Sequence, residues 1–254
     1  MYKFSFIFDK TPKTKKIRKL FKKYQSYSVK KSNIIVVAGG DGFMLRTIKK
    51  YHKFKKPFYG INCGTIGFLM NKFQKIKLEK KIFKTKSFII NPLDVKILNT
   101  NKKVFKMLAI NDISLLRQSK QTSILTLKAN KKVLIKKLIS DGILVCTPAG
   151  STAYNLSVHG PILSLNSKKL AITPISPFRP RRWKGKIVSD KISIHIKNLD
   201  PQKRPIAAVA DNQEIRNIKK VIIKTNKKIN FKILFNSKES LIKKIKFEQQ
   251  KVNF

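Results

Sequence analysis

The sequence has little of what characterises several common protein classes. Its 254 residues include two cysteines, three histidines, ten glycines and ten prolines. Cys63 and Cys146 lie far apart and form no CxxC pair, which excludes a disulfide scaffold, and the scattered His52, His159 and His195 give no zinc-ligand spacing. The composition, with ten glycines and ten prolines, also excludes collagen-like and coiled-coil chains. Such cysteine usage is typical of a protein from the reducing cytoplasm.

Long hydrophobic runs are also missing. No stretch approaches the roughly 20 apolar residues that a membrane span requires. Residues 1–8 are apolar, but the segment is short, has lysines nearby and lacks a small-residue cleavage site, so we predict a β-strand there rather than a secretory signal. The apolar fraction of 42% is enough for the core of one large or two modest domains, which excludes wholesale disorder.

Acidic residues are the third scarcity. Twelve Asp+Glu face 58 Lys+Arg, and the formal charge is +46. Such a charge favours a nucleic-acid or anionic-membrane partner, but nearly all of it is lysine spread along the whole chain, whereas base-reading proteins favour arginine. We interpret the lysine as a drift of the whole composition, because no local basic block stands out. The few acids are therefore informative, especially those beside glycine or asparagine.

The first third of the chain alternates strand-like and helix-like segments. Apolar runs predict strands at 2–8, 33–38 and 57–62, and apolar residues at helical spacing predict helices at 13–24 and 43–52. This alternation predicts a parallel sheet with right-handed crossovers. Ligands of such sheets bind at the carboxyl ends of the strands.

The pattern changes from about Ser87 onwards to short β-rich runs separated by Asn-Lys turns. These runs predict a mostly antiparallel second domain. The pattern at 241–247 is again helical, so the chain is expected to return to the first domain. We therefore predict an α/β N-terminal domain with a Rossmann-like parallel sheet, comprising residues 1–88 joined by 239–254. A β-rich C-terminal domain, mostly antiparallel, comprises residues 89–238.

The sharpest local motif is Gly39-Gly40-Asp41-Gly42, between the predicted strand 33–38 and the predicted helix 43–52. Glycines in a strand-to-helix turn allow positive φ and close approach of a ligand, and N–H groups at a helix start bind phosphate oxygens. A carboxylate beside phosphate is unfavourable unless it acts as a base or contacts a metal ion. The alternative is an ordinary β-turn, in which aspartate is favoured for its geometry.

Two further groups of polar residues follow. Asp141-Gly142 precedes the string TPAGSTAYNLS at 147–157, whose proline and glycine end a strand and whose serine or threonine is expected to cap a short helix. Tyr154 in this string either offers a stacking face to a ring or packs in the core. Asn111-Asp112 interrupts an apolar run, and such a pair must find partners because each unsatisfied buried polar group costs about 1–3 kcal/mol.

Taken together, these motifs resemble the NAD kinases. GGDG, the glycine-rich segment 60–68, Asn111-Asp112, Asp141-Gly142 with TPAGSTAYNLS, and 211–213 (DNQ) occur in the family's order and at similar spacing, from Ile34 to Gln213. The TPAGSTAYNLS string is the most specific part of the resemblance. GGDG is shared with diacylglycerol kinases, sphingosine kinases and, more loosely, phosphofructokinases.

The resemblance implies an enzyme that transfers the γ-phosphate of ATP to the 2′-hydroxyl of the adenosine ribose of NAD, giving NADP and ADP. The GGDG aspartate, here Asp41, is taken in this family as the general base for that hydroxyl. The β-rich domain is implied to bind NAD. Contacts with NAD or ATP are implied at Gly39, Gly40, Asp41, Gly42, Arg46, Asn111, Asp112, Asp141, Ala149, Thr152, Ala153, Tyr154, Asn155, Leu156, Ser157, Ser176 and Gln213.

Three positions depart from the family's pattern. Asp112 stands where glutamate is more frequent, and this shorter acid is expected to shift a ribose or metal contact. Asn212 replaces a glycine, and we expect asparagine to accept a left-handed φ there. Ile139 stands where many members have a basic residue that would contact a substrate phosphate or a neighbouring subunit.

The resemblance also implies a divalent cation, Mg²⁺, as cofactor with ATP as phosphoryl donor, and a cytoplasmic homodimer or homotetramer. No membrane and no specific nucleic acid is expected as a partner. Two alternatives remain at this point. The first is a lipid kinase of the diacylglycerol or sphingosine type, which would need an apolar slot for its substrate. The second is a lysine-rich nucleic-acid-binding protein, for which composition is the only support.

Overall fold

The computed structural model describes residues 2–64, 67–73 and 78–236. The described chain divides into two compact units, one made of residues up to 90 together with 230–236 and the other of Asn91–Ile229. Each unit has its own β-sheet and its own hydrophobic core. The predicted return of residues 239–254 to the first domain lies outside the described residues.

The first unit is an α/β unit with a five-stranded sheet. Its strands are β1 (Phe4–Phe8), β2 (Ile34–Gly39), β3 (Phe58–Asn62), β4 (Thr85–Ile90) and β16 (Phe231–Asn236), in the spatial order β1-β2-β3-β16-β4. The first four strands in that order are parallel, and β4 is antiparallel to β16. Its helices are α1 (Pro12–Leu20), α2 (Asp41–Tyr51) and α3 (Leu78–Phe83), with a short 3₁₀ helix at His52–Phe54. The predicted parallel sheet is confirmed.

Local sequence explains these elements. All six residues of β2 are buried, as expected for an inner parallel strand covered on both faces. The start of α1 is set by Thr11, whose hydroxyl oxygen accepts a hydrogen bond from the Thr14 N–H, and by a proline at the first helical position. The helix is shorter than the predicted 13–24, because Phe21 and Tyr24 leave the helical path and pack with the ring of Phe6.

The second unit is β-rich. Its strands are β5 (Leu93–Asn99), β6 (Val104–Ala109), β7 (Asp112–Arg117), β8 (Ser123–Ala129), β9 (Lys132–Cys146), β10 (Lys169–Arg179), β11 (Lys186–Ser189), β12 (Ile194–Asn198), β13 (Ile206–Ala210), β14 (Gln213–Ile215) and β15 (Ile218–Thr225). A 3₁₀ helix at Ala149–Thr152 and the one-turn helix α4 (Tyr154–Ser157) follow β9. The strand pairings described in this unit are antiparallel, which confirms the predicted β-rich architecture.

The long strand β9 organises this sheet. It runs for 15 residues and pairs with β7, β8 and β10. Most of the larger core lies on the inner faces of these strands, where period-2 alternation places apolar side chains inwards. In β5, for example, Leu93, Val95 and Ile97 are buried while Asp94 and Lys96 are exposed.

One strand lies elsewhere than the sequence pattern suggested. The predicted β-rich domain extended to residue 238, but β16 pairs with β3 and β4 in the sheet of the first unit. The strand itself was visible as an apolar run, but its partner was not, because pairing depends on which sheet edge the returning chain reaches. Among the described residues, no helix is long and apolar enough to span a membrane.

Candidate nucleotide and phosphoryl-transfer site

The GGDG motif lies where β2 leads into α2, at the carboxyl edge of the parallel strands. Gly39 is the last residue of β2, Gly40 has an extended backbone with φ −104° and ψ −179°, and Asp41 begins the helix. A Cβ on Gly39 would come within 2.7 Å of the ring of Phe43, whereas nothing lies within 4 Å of a Cβ on Gly40. The motif therefore combines tight strand–helix packing with open space above the helix start.

The glycines of the motif do not use the freedom to adopt positive φ. Among the described glycines only Gly185 has a positive φ. Close packing against the Phe43 ring explains glycine at position 39, whereas a Cβ at position 40 would meet no atom within 4 Å. Because Gly40 offers no side chain to cap α2, the N–H groups and dipole of its first turn favour an anion placed there.

The carboxylate of Asp41 is held in a defined orientation. Its Oδ2 accepts a hydrogen bond from the Phe68 N–H at 2.8 Å, and its Oδ1 accepts one from the Leu69 N–H at 3.0 Å. These bonds join the start of α2 to the segment after β3. A carboxylate has about four lone-pair sites, so it can also accept a hydrogen bond from a hydroxyl. Arg46 lies one turn further along α2, with a guanidinium nitrogen 3.8 Å from the Cβ position of Gly42.

In the second unit, the Asn111-Asp112 pair is joined to the TPAG turn. The Thr147 N–H donates to the Asn111 carbonyl at 2.9 Å, and the Thr147 hydroxyl donates to the Ile110 carbonyl at 2.7 Å. The same hydroxyl oxygen accepts a hydrogen bond from the Gly150 N–H at 3.2 Å. A Cβ on Gly150 would collide with the carbonyl oxygen of Asn111. Glycine is therefore required at this position by close backbone contact.

Asp211 approaches the same pair from the other side. It lies in the turn between β13 and β14 with φ +52°, and its carboxylate accepts hydrogen bonds from the N–H groups of Ile110 at 2.9 Å, Asn111 at 2.8 Å and Asp112 at 3.4 Å. The left-handed residue of this turn is Asp211. Our expectation that Asn212 takes a left-handed φ is therefore wrong, since it is not among the positive-φ residues of the described chain.

Electrostatics distinguish Asp112 from its neighbours. It is 7% exposed, and burial, followed by the nearby negative charge of Asp211, raises its pKa to about 7. Burial and then the Asp112 carboxylate raise the pKa of Cys146, which pairs with Asp112 across the strands, to about 12. The pKa of Tyr154 is raised by burial and then by the same carboxylate. A short acid in an apolar strand environment thus lies close to an aromatic hydroxyl.

Tyr154 is partly accessible. Its side chain is 37% exposed, which contradicts the alternative in which it packs in the core. Its ring can therefore offer a face to a planar ligand group. Two buried oxygens in the same part of the unit, Oδ1 of Asn111 and Oγ1 of Thr152, have no hydrogen-bond partner within the described part of the chain. A native structure rarely leaves such atoms unpaired, so a polar ligand group or an ordered water is expected to bond to them.

The other predicted site residues of the second unit differ in exposure and in bonding. Asn155 is fully buried, and its amide donates to the carbonyls of Ser151 and Pro161 while its oxygen accepts from the Thr173 hydroxyl at 2.6 Å. Ala149 is buried, Ala153 and Leu156 are half-buried, and Ser157 is exposed. Gln213 is exposed at the start of β14, two residues after Asp211.

A second cluster forms at a different place on β9. Asp112, at one end of β7, pairs with Cys146 of β9. Asp141 lies five residues before Cys146 on β9, which corresponds to about 17 Å along the strand at roughly 3.4 Å per residue. Ser176 lies opposite Asp141, because its neighbours Ile175 and Pro177 pair with Gly142 and Ser140. The structure thus brings Asp141 and Ser176 together but separates both from the Asn111-Asp112 pair.

Arg117 completes this second cluster. Its Nε lies 2.6 Å from Oδ1 of Asp141, and both side chains are about one-third exposed. Sequence patterns did not single out Arg117, although it is one of only eight arginines. A cation therefore lies beside Asp141 even though Ile139 has replaced the basic residue that is usual two positions before it. The contact between Thr147 and Ile110 was not predicted either, because a hydrogen bond to a residue 37 positions earlier has no local signal.

A resident metal centre finds no support in the side chains. The described residues contain no group of three or more His, Cys, Asp or Glu side chains placed to hold a metal ion. Mg²⁺ commonly binds substrate phosphates together with one or two carboxylates and several waters.

Fold and site together define a class. An α/β unit with a GGDG turn at the carboxyl edge of its strands, and a β-rich unit with two unpaired buried oxygens and an accessible tyrosine, fit a kinase of the GGDG type. The ATP-NAD kinase N-terminal domain model matches residues 5–82, and the ATP-NAD kinase C-terminal domain model matches residues 110–241. The chain belongs to the ATP-NAD kinase family.

Individual relatives agree with this assignment. The chain is 43% identical over 244 residues to the NAD kinase of Zymomonas mobilis, covering 94% of each chain, and 40% identical over 248 residues to that of Rickettsia typhi, covering 97% of each. Two solved structures share the fold. Yeast NADH kinase complexed with NADH has a TM-score of 0.80 at 19% identity, covering 100% of this chain and 89% of the yeast chain. An NAD kinase from Archaeoglobus fulgidus in complex with ATP has a TM-score of 0.73 at 22% identity, covering 99% and 100%.

Proposed function

We propose that the chain is an NAD kinase, which transfers the γ-phosphate of ATP to the 2′-hydroxyl of the adenosine ribose of NAD. Family membership and relatives about 40% identical over almost the whole chain support this activity. The observation that carries it in the structure is that Oδ1 of Asn111 and Oγ1 of Thr152 are buried without partners in the described part of the chain, in the unit that also exposes Tyr154. A nucleotide supplies both hydroxyl or amino donors for those oxygens and a ring for the tyrosine.

Phosphoryl transfer is proposed to use the GGDG residues of the first unit. The 2′-hydroxyl oxygen of NAD attacks the γ-phosphorus, the bond to the β-phosphate oxygen breaks, and ADP leaves. The hydroxyl proton passes to the Asp41 carboxylate, which the N–H groups of Phe68 and Leu69 orient. Phosphoryl transfer depends mainly on alignment and charge neutralisation, for which the α2 helix start and the Arg46 guanidinium are suited. A divalent ion bound to ATP neutralises charge on its phosphates.

The second unit is proposed to bind NAD. Asn111 Oδ1 and Thr152 Oγ1 accept hydrogen bonds from the nucleotide, Asp112 lies beside them, and Tyr154 stacks on a ring. Asp141 with Ser176 is proposed to contact a different part of the extended dinucleotide, consistent with its separation of about 17 Å from Asp112 along the sheet. Further nucleotide contacts are proposed at Gly39, Gly40, Gly42, Ala149, Ala153, Asn155, Leu156, Ser157 and Gln213.

The remaining properties are also proposals. The two compact units are proposed to act as the phosphoryl-transfer domain and the NAD-binding domain. Both cysteines are buried and unpaired, which suits a reducing cytoplasm. Assembly as a homodimer or homotetramer is proposed from the family resemblance and is measurable by light scattering. The lipid-kinase alternative gains no support from the comparisons, and the unpaired oxygens of Asn111 and Thr152 suit a nucleotide better than an acyl chain.

The decisive experiment is direct. The purified protein is incubated with labelled ATP, MgCl₂ and NAD, and the NADP formed is measured with an NADP-specific dehydrogenase. A parallel reaction contains diacylglycerol vesicles in place of NAD, and label transferred to the lipid is measured. Formation of NADP without labelled lipid supports the proposal. Labelled lipid without NADP would refute it in favour of a lipid kinase.

A further inference from the structure

Asp211 occupies a special position in the second unit. It is one of eight aspartates in a chain with 58 basic residues, and it lies in a two-residue turn between the paired residues Ala210 and Gln213. Its φ of +52° is unusual for a residue other than glycine, asparagine or aspartate. This backbone conformation turns the carboxylate towards the end of the neighbouring strand β7, which pairs with β13.

The carboxylate is bonded to three consecutive backbone groups. Oδ2 accepts from the Ile110 N–H, and Oδ1 accepts from the N–H groups of Asn111 and Asp112. The Asp211 N–H in turn donates to the Asp112 carbonyl at 3.1 Å. Hydrogen bonds to an ionised acceptor are about twice as strong as neutral ones. The backbone of 110–112 is therefore held by one side chain through its donors.

The acceptors of the same segment are held from the opposite direction. Thr147 donates to the carbonyls of Ile110 and Asn111, and Gly150 packs directly on Asn111. With donors, acceptors and packing all satisfied, the segment has one conformation, and that conformation buries Oδ1 of Asn111 without a partner. A buried unpaired acceptor costs free energy, and the fixed backbone keeps the segment from relieving that cost by a change of conformation.

We propose that Asp211 is a positioning residue for NAD binding, which holds the 110–112 backbone so that the Asn111 oxygen is aimed at the nucleotide before it binds. The inference rests on the proposed NAD kinase function. Asp211 acts through its neighbours and need not touch the substrate. Preorganisation of this kind removes an ordering cost from binding, so its loss raises the NAD requirement more than it slows the chemical step.

Two variants remove the contact to different degrees. The asparagine of Asp211→Asn keeps one side-chain oxygen and tolerates left-handed φ, but its amide nitrogen is not an acceptor. The N–H of either Ile110 or Asn111 therefore loses its acceptor. Asp211→Gly keeps the turn and removes all three bonds. We expect KM for NAD to rise by about tenfold in Asp211→Gly and by less in Asp211→Asn, with kcat changing less than KM. Direct titration with NAD should show the same order of affinities.

Asn226 offers a matched control. Its Oδ1 accepts hydrogen bonds from the N–H groups of Lys228 and Ile229, both at 2.8 Å, in the turn after β15. Asn226→Ala thus also removes a side-chain cap on consecutive backbone groups, but outside the proposed nucleotide site. We expect it to lower the melting temperature and to leave KM for NAD unchanged. If both Asp211 variants also lower the melting temperature and leave KM for NAD unchanged, Asp211 is merely structural and the inference is wrong.

Hydrogen exchange tests the same inference without turnover. The amides of 110–112 should exchange faster in Asp211→Asn than in wild type, while those of β12 and β15 stay unchanged; unchanged exchange at 110–112 would overturn the inference. The proposed function is judged separately by wild-type NADP formation. A wild-type chain that makes no NADP would refute the kinase proposal, whereas an active wild type with unaltered KM in both Asp211 variants would refute only the positioning role.

Discussion

Asp112 provides a quantitative prediction about stability and pH. Its carboxyl is buried next to Asp211, and its pKa is raised from 3.8 to about 7. Between these values the folded chain binds a proton that the unfolded chain has already lost. Stability therefore falls as pH rises through this window and levels off above about pH 7. Each pH unit corresponds to about 1.4 kcal/mol, so the full effect on the free energy of unfolding is about 4 kcal/mol.

Asp112→Asn replaces the titrating group by a neutral side chain of the same shape. Relative to wild type, the variant should become more stable as pH rises, by about 3 kcal/mol between about pH 5 and pH 8. Urea unfolding can be followed by the fluorescence of Trp183, the single tryptophan, which packs against the core of the second unit. The signal therefore reports unfolding of the unit that contains Asp112.

An exposed aspartate of the same unit supplies the control. Asp94→Asn removes one negative charge from the surface of β5, and its pH dependence defines the background for the comparison. If the difference between Asp112→Asn and wild type stays constant within about 1 kcal/mol from pH 5 to pH 8, burial does not penalise the Asp112 charge. The explanation of the raised pKa of Asp112 by burial would then be incorrect.

Three further predictions concern the proposed site. Asp41→Asn should lower kcat by about 10²- to 10⁴-fold in the NADP assay, because the amide is no base, and near wild-type turnover would contradict the assignment. Tyr154→Ala should raise KM for NAD without lowering the melting temperature, since the ring is partly exposed; an unchanged KM would remove its stacking role. Gly150→Ala should lower the melting temperature and also weaken NAD binding, because its Cβ would collide with the carbonyl of Asn111. Gly40→Ala is the control: its Cβ meets open space, so the melting temperature should stay nearly unchanged.

Much of the fold was predictable because periodicity is local. The buried run of β2, the glycine-rich turn and the α2 helix succeed one another within 18 residues, and each has a direct signature in the sequence. The change from α/β to β-rich patterning was equally visible. The placement of β16 in the first sheet was not, because an apolar run of six residues carries no information about which strand it will join.

The candidate site was also predictable only in part. The rare aspartates and the TPAGSTAYNLS string identified where nucleotide chemistry is expected, since four of the eight aspartates fall in these motifs. The sequence indicated that the glycines allow positive φ or close approach of a ligand, but it could not show that the Phe43 ring packs against Gly39. It likewise assigned the left-handed turn residue to Asn212 instead of Asp211.

The scarcity of acids and the order of motifs, which depend only on residue identity and spacing, were enough to indicate the family, the α/β and β-rich architecture and the chemistry. Only the tertiary structure decided how the motifs act on one another. It brought Asp211 to the backbone of residues about 100 positions earlier, gave Asp112 its raised pKa and separated Asp141 from Asn111. These outcomes depend on distances and burial between strands that are remote in the sequence, and neither composition nor spacing encodes such quantities.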